Sequence, residues 1–131
     1  IAKEKGAKLT VKLNVRGAFH TELLKPASDK LAEELKNINF KNMEIPVITN
    51  VTGDIIENNE DIAPLLIKQV MSPVKWEDTI QKLSELGVDT FIEIGPGKAL
   101  SGFVKRTLKG VTILNVEDMK SLEKTLAKLN G

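Results

Sequence analysis

Three features of the sequence predict an α/β protein in which short parallel strands are covered by helices. Apolar runs of strand length alternate with segments whose apolar residues recur every three or four positions. The runs at 90–94 (TFIEI) and 111–115 (VTILN) are rich in β-branched and apolar side chains. Glycine and proline punctuate the joins, as in GPGK at 95–98 and SP at 72–73. Strands separated by helices pair in parallel, so each helix is a crossover that covers a face of the sheet.

The opening IAKEKG reads as the end of a helix, with lysines in its last turn and Gly6 just past its end. A chain that begins by finishing a helix is expected to be part of a longer protein. Residues 8–16 alternate as a first strand through Leu9, Val11, Leu13 and Val15. Gly17 and Ala18 make a turn of small residues. Thr21 or Glu22 then opens a helix to about Asn37, with Pro26 in its first turn, where a missing N–H costs little. Leu23, Ala27, Leu31, Leu35 and Ile38 form its expected buried stripe.

Residues 39–45 read as a polar linker. PVIT at 46–49 is a short buried strand, NVTGD at 50–54 a turn, and Ile55–Ile56 a short return strand. Asn58–Asp61 caps a helix reaching about Met71, which Ser72 and Pro73 break. Lys75–Leu86 is the next helix, buried through Trp76, Ile80, Leu83 and Leu86 and closed by Gly87. After the 90–94 strand comes a helix from Ala99 to Leu108, buried through Leu100, Phe103, Val104 and Leu108. The 111–115 strand follows, then a closing helix from Glu117 to Leu129 with Met119, Leu122, Leu126 and Leu129 inside. Leaving aside the short return at 55–56, the expected sheet has four short strands, which is thin for the length.

The 131 residues suffice for one domain with a core. A net charge of +1 gives no electrostatic reason to expect a nucleic-acid or membrane partner. With no cysteine there is no disulfide, thiolate metal site or cysteine nucleophile. No apolar run approaches the roughly 20 residues that span a bilayer.

His20 is the only histidine. It stands just past the end of the expected first strand, where catalytic groups collect in α/β sheets. It reads either as an acid/base group or as a strand-end residue bonded to nearby backbone. A general base needs a partner on its other ring nitrogen, and no carboxylate is placed by sequence to serve. IEIGPGKAL at 92–100 lacks the spacing and the Ser/Thr of a phosphate loop, which favours a tight strand-to-helix turn. Glu93 within that strand needs polar partners and is expected to pair structurally. Gln69, before the helix break in KQVMSPVKW, reads as a surface residue from spacing alone. No glycine-flanked G-x-S-x-G serine is present, and Ser28, Ser72, Ser84, Ser101 and Ser121 all fall in or beside helices.

NVRGAFHTELLKPASDKLAEEL, IPVITNVTGD, KQVMSPVKWEDTI and FIEIGPGKALSGFVKR, in this order and spacing, resemble the malonyl-CoA:acyl-carrier-protein transacylase family. The resemblance covers essentially the whole chain and would match roughly the C-terminal two-fifths of that enzyme. It implies an α/β-hydrolase-like lobe carrying an inserted ferredoxin-like subdomain. Residues 1–13 would be the tail of the small ferredoxin-like lobe. Residues 14–131 would be the second half of the large α/β acyltransferase lobe.

The family moves a malonyl group from coenzyme A to the phosphopantetheine thiol of acyl carrier protein, through an acyl-serine. By this likeness His20 is the catalytic base and acid. Gln69 orients it through its backbone carbonyl, and Phe19 belongs to the malonyl-selective GAFH wording that faces substrate. Asn50 shapes the site wall without a chemical step. No cofactor is implied, since malonyl-CoA is a substrate. The implied partners are acyl carrier protein and the N-terminal part of the enzyme, and the implied location is cytoplasmic.

The family's nucleophilic serine, malonyl-binding arginine and oxyanion-hole glutamine have no counterpart here, and Arg16 and Arg106 do not replace them. The chain alone is therefore expected to be inactive. Half a sheet is also expected to expose apolar surface, and so to self-associate or refold locally. Two other readings stay open: an acyltransferase domain of a polyketide or fatty-acid megasynthase, and a non-catalytic carrier-protein binding module.

Overall fold

The computed structural model describes residues 1–11 and 17–131. In chain order, a 3-10 turn at Glu22–Leu24 leads into α1 (Lys25–Leu35). A second 3-10 turn at Asn59–Asp61 leads into α2 (Ile62–Gln69). Then come α3 (Trp76–Glu85), β1 (Thr90–Ile94), α4 (Ala99–Thr107), β2 (Thr112–Val116) and α5 (Met119–Leu129). No helix among the described residues is long and apolar enough to cross a membrane.

β1 and β2 run parallel, with Thr90 opposite Thr112 and Ile94 opposite Val116. A parallel pair cannot be closed by a hairpin, so α4 forms the crossover and touches both strands. α5 packs on β2, where the buried Thr125 donates its hydroxyl to the Asn115 carbonyl at 3.2 Å. α3 packs on α4, and α1 packs on α2. Ile80 of α3 and Val104 of α4 are buried in the first of these interfaces' elements, and Ile80 is only 1% exposed.

The helix ends follow from local chemistry. Asp118 caps α5, accepting the Ser121 N–H at 2.7 Å while the Ser121 hydroxyl accepts the Asp118 N–H at 2.9 Å. This reciprocal box starts the helix at Met119, two residues later than the sequence pattern predicts. Gly87, with φ +80°, ends α3 with the Gly87 N–H on Ser84 and the Val88 N–H on Leu83. The helix end expected at IAKEKG is only a turn at 2–6, which Gly6 closes with its N–H on Lys3 and the Ala7 N–H on Ala2.

The expected four strands reduce to two among the described residues. PVIT and Ile55–Ile56 form only one antiparallel bridge, Ile48 to Ile55. The tight 50–54 turn brings these short runs together, and the backbone then departs toward other partners. Its Asn50 carbonyl accepts the Lys75 N–H at 2.8 Å. Gly53 is buried with φ +69°, and a Cβ there would lie 2.5 Å from the Asp78 Cβ. Only glycine lets this turn press against the start of α3. Most of the expected first strand, 12–16, lies outside the described residues, and residues 8–11 form no strand.

The expected apolar stripes are also displaced. Leu23 and Ile38 are exposed and Ala27 faces solvent, while Leu24, Ser28, Leu31 and Leu35 turn inward. Ser28 on this inward face makes a polar contact with α2, described below. Leu86, Leu100, Phe103, Met119, Leu126 and Leu129 are likewise exposed rather than buried.

Candidate functional site

The site begins at the end of α2. Pro73 has no N–H to continue the helix, and it disfavours helical backbone at Ser72. The last turn of α2 therefore leaves carbonyls that must find partners elsewhere. Each of three finds one. Ile67 O accepts the Ser28 hydroxyl at 2.9 Å. Lys68 O accepts the N–H groups of Met71 and Ser72 at 3.2 and 3.1 Å. Gln69 O lies 3.2 Å from His20 Nδ1.

A carbonyl oxygen can only accept, so Nδ1 carries the proton in this contact. In a neutral imidazole that makes Nε2 the acceptor nitrogen, the form a general base requires, and it bonds no other group among the described residues. A carboxylate partner is therefore unnecessary. Among the described residues none is bonded to His20.

His20 sits in the turn between Gly17 and the 22–24 3-10 turn. It is the one non-glycine residue with positive φ, +57°, among the described residues. This conformation costs on the order of 1 kcal/mol or more and persists where the surroundings over-determine it. Here the Gln69 bond lies on one side. On the other, the Thr21 hydroxyl donates to Ala18 O at 2.8 Å and the Leu24 N–H to Thr21 O at 3.0 Å. His20 is exposed, as is Phe19 at 66%. The Phe19 ring folds back over Gly17, and a Cβ at 17 would meet it at 2.8 Å.

The other expected residues take structural places. Glu93 accepts the Leu100 N–H at 3.1 Å and the Ser101 N–H and hydroxyl at 2.8 and 2.6 Å. The Ser101 hydroxyl, then its N–H, hold the Glu93 carboxyl below its ordinary pKa. Gly97 N–H in the GPGK turn donates to Glu117 at 3.0 Å. Two carboxylates thus occupy the donors that a phosphate would need, and the tight-turn reading holds. Arg106 stacks on Phe103, 5.0 Å from its ring centre. Arg16 lies outside the described residues. Asn50 is half-buried and engaged through its backbone in the 50–54 turn. No group of three or more His, Asp or Glu side chains among the described residues could hold a metal ion.

Ser28 was not legible as a site-related residue. Its signal lies in spacing: it is four residues after Leu24 and three before Leu31, on the face that turns inward.

No protein-family model matches the chain. The malonyl CoA-acyl carrier protein transacylase of Bacillus subtilis is 46% identical over 129 residues, covering 98% of this chain and 41% of that protein. The crystal structure of the transacylase from Clostridium perfringens superposes with a TM-score of 0.90 at 51% identity, covering 98% of this chain and 40% of the other. A type II polyketide malonyl-transacylase, solved in complex with its acyl-carrier protein, gives a TM-score of 0.87 at 38% identity, over 96% and 41% of the two chains. The chain spans about two-fifths of the length of these relatives. Over nearly all of its own length it is homologous to the malonyl CoA-acyl carrier protein transacylases, and it belongs to that family.

Proposed function

We propose that this chain supplies the proton-transfer half of a malonyl-CoA:acyl-carrier-protein transacylase, an S-malonyltransferase of fatty acid biosynthesis. The observation that carries the proposal is the His20 Nδ1 contact with Gln69 O at 3.2 Å, which frees Nε2. A serine hydroxyl from polypeptide outside these residues gives its proton to Nε2 as its oxygen attacks the malonyl thioester. The resulting imidazolium is held by Nδ1–H on Gln69 O, and Nε2–H then protonates the departing coenzyme A thiolate, giving the free thiol. In the second half, Nε2 takes the proton of the phosphopantetheine thiol as its sulfur attacks the acyl-serine, and returns it to the serine. Gln69 is a positioning residue that acts through its backbone. Phe19, exposed beside His20, lines the acyl side of the site. No cofactor enters these steps.

In this reading residues 1–13 end a small ferredoxin-like lobe, and 14–131 are the second half of an α/β-hydrolase-like lobe. The enzyme works in the cytoplasm on malonyl-CoA and acyl carrier protein. The parallel β1–α4–β2 unit supports the large lobe. So do the exposed apolar faces, Leu23 at 78% and Ile94 at 82%, which the remaining polypeptide would cover.

The test is reconstitution. The chain alone should load no malonyl group onto holo acyl carrier protein. The chain mixed with the complementary N-terminal part of the Bacillus subtilis relative should do so, read by the mass of the carrier protein. Transfer by the chain alone, or none by a folded mixture, would overturn the proposal. The second outcome would favour a non-catalytic module that binds the carrier protein.

A further inference from the structure

Ser28 is 1% exposed and lies in the middle of α1. A serine inside a helix ordinarily turns its hydroxyl to its own helix, four residues back. Here the hydroxyl crosses to another helix and donates to Ile67 O at 2.9 Å, 39 residues on. Ile67 O and Gln69 O belong to the same last turn of α2. Ser28 and His20 belong to one continuous segment, joined by the 22–24 turn and the first turn of α1. The two hydrogen bonds, Ser28 to Ile67 O and His20 to Gln69 O, therefore clamp the same two pieces of backbone at neighbouring carbonyls. A buried donor satisfying an orphan helix carbonyl fixes position more firmly than apolar contact, because no other geometry satisfies both groups.

We infer that Ser28 is a positioning residue for His20: its hydrogen bond to Ile67 O sets the height of α1 against the end of α2, so that His20 Nδ1 meets Gln69 O. The inference rests on the reading of His20 as the proton carrier for its functional meaning, while its geometric content stands apart from it. Ser28 touches no reacting atom. It acts by holding the ring in the Nδ1–H tautomer with Nε2 open.

His20 is the only histidine, so its two ring nitrogens give a unique pair of ¹⁵N resonances in the full chain. The experiment records them, with the ring neutral, in ¹⁵N-histidine-labelled wild type, Ser28→Cys, Ser28→Ala and Leu35→Ala. Leu35→Ala loosens the same buried face of α1 while keeping the hydroxyl. We expect a predominantly Nδ1–H ring in wild type and in Leu35→Ala. We expect a several-fold shift toward the Nε2–H form in Ser28→Ala, with the weak thiol donor of Ser28→Cys between them. If Ser28→Ala does not fold, the wild-type and Ser28→Cys spectra decide. Equal tautomer ratios in wild type and Ser28→Cys, or a shift in Leu35→Ala as large as in Ser28→Ala, would overturn the inference. Neither result bears on malonyl transfer, so failure here is separable from failure of the proposed function.

Discussion

His20 and Gln69, 49 residues apart, meet through a ring nitrogen and a backbone carbonyl at 3.2 Å, with no acidic side chain between them. In the proposed mechanism, the place that a triad ordinarily gives to an aspartate is taken by the backbone of the last residue of a helix. The Gln69 side chain takes no part in this contact. Gln69→Ala should therefore leave the kcat/KM of the reconstituted enzyme within about threefold of wild type, since alanine is a good helix former. Val70→Pro, which forces Gln69 out of helical backbone and re-aims its carbonyl, should cost about tenfold or more in kcat. A large loss in Gln69→Ala, with its melting curve unchanged, would assign the role to the side chain instead.

Gly53 and Gly87 both have left-handed backbone, but their surroundings differ. A Cβ at Gly53 would lie 2.5 Å from the Asp78 Cβ, whereas a Cβ at Gly87 meets nothing within 4 Å. Gly87→Ala should carry the conformational cost alone, about 1 kcal/mol. Gly53→Ala adds an overlap with α3 and should cost about 2–4 kcal/mol. Urea denaturation of the two variants under identical conditions measures the difference. Equal costs would mean that the 50–54 turn does not press on α3.

Three carboxyls make the fold sensitive to acid. Lys82 donates to Asp54 at 2.9 Å, Ser101 holds Glu93, and the Ser121 N–H followed by its hydroxyl holds Asp118, each lowering the carboxyl's pKa. A carboxyl whose folded pKa lies below its unfolded one stabilises the fold above the unfolded value. That contribution fades as pH falls through the folded value. Urea midpoints should therefore be flat near neutrality and drop below about pH 4. The partner Lys82 has its pKa raised by Asp54, so its contribution is present below its ordinary value and is lost as pH rises through the folded value. Glu93→Gln should be less stable than wild type at pH 7, with the gap narrowing by pH 3. A gap that is constant with pH would show that the Glu93 charge contributes nothing at the start of α4.

Much of the architecture was legible because short-range chemistry decides it. The 90–94 strand matches residue for residue, since its apolar run is bounded by Gly87 and Gly95. Helix existence followed from periodicity, and the end of α3 at Gly87 from glycine, whereas the helix end expected at Gly6 is only a turn. The start of α5 was misplaced because Glu117 looks like a first-turn acid, whereas Asp118 and Ser121 form the reciprocal cap. The inward face of α1 was misread because hydrophobicity favours Leu23 and Ala27. Ser28 lies inward instead, and its buried hydroxyl bond is invisible to any hydropathy pattern. Of the site, GAFH marked the histidine as a candidate. Its partner is a backbone carbonyl, which carries no residue signature, and only the family resemblance pointed to Gln69.

The most direct measurement is the rate of malonyl loading onto holo acyl carrier protein by the reconstituted enzyme, with His20 and with His20→Ala, at equal folded concentration. If His20 carries the proton between the serine and the two thiols, the alanine variant should lose about 10²- to 10⁴-fold in kcat. Its carrier-protein affinity should stay unchanged. Loading by His20→Ala at the wild-type rate would contradict the assignment of His20 as the proton carrier.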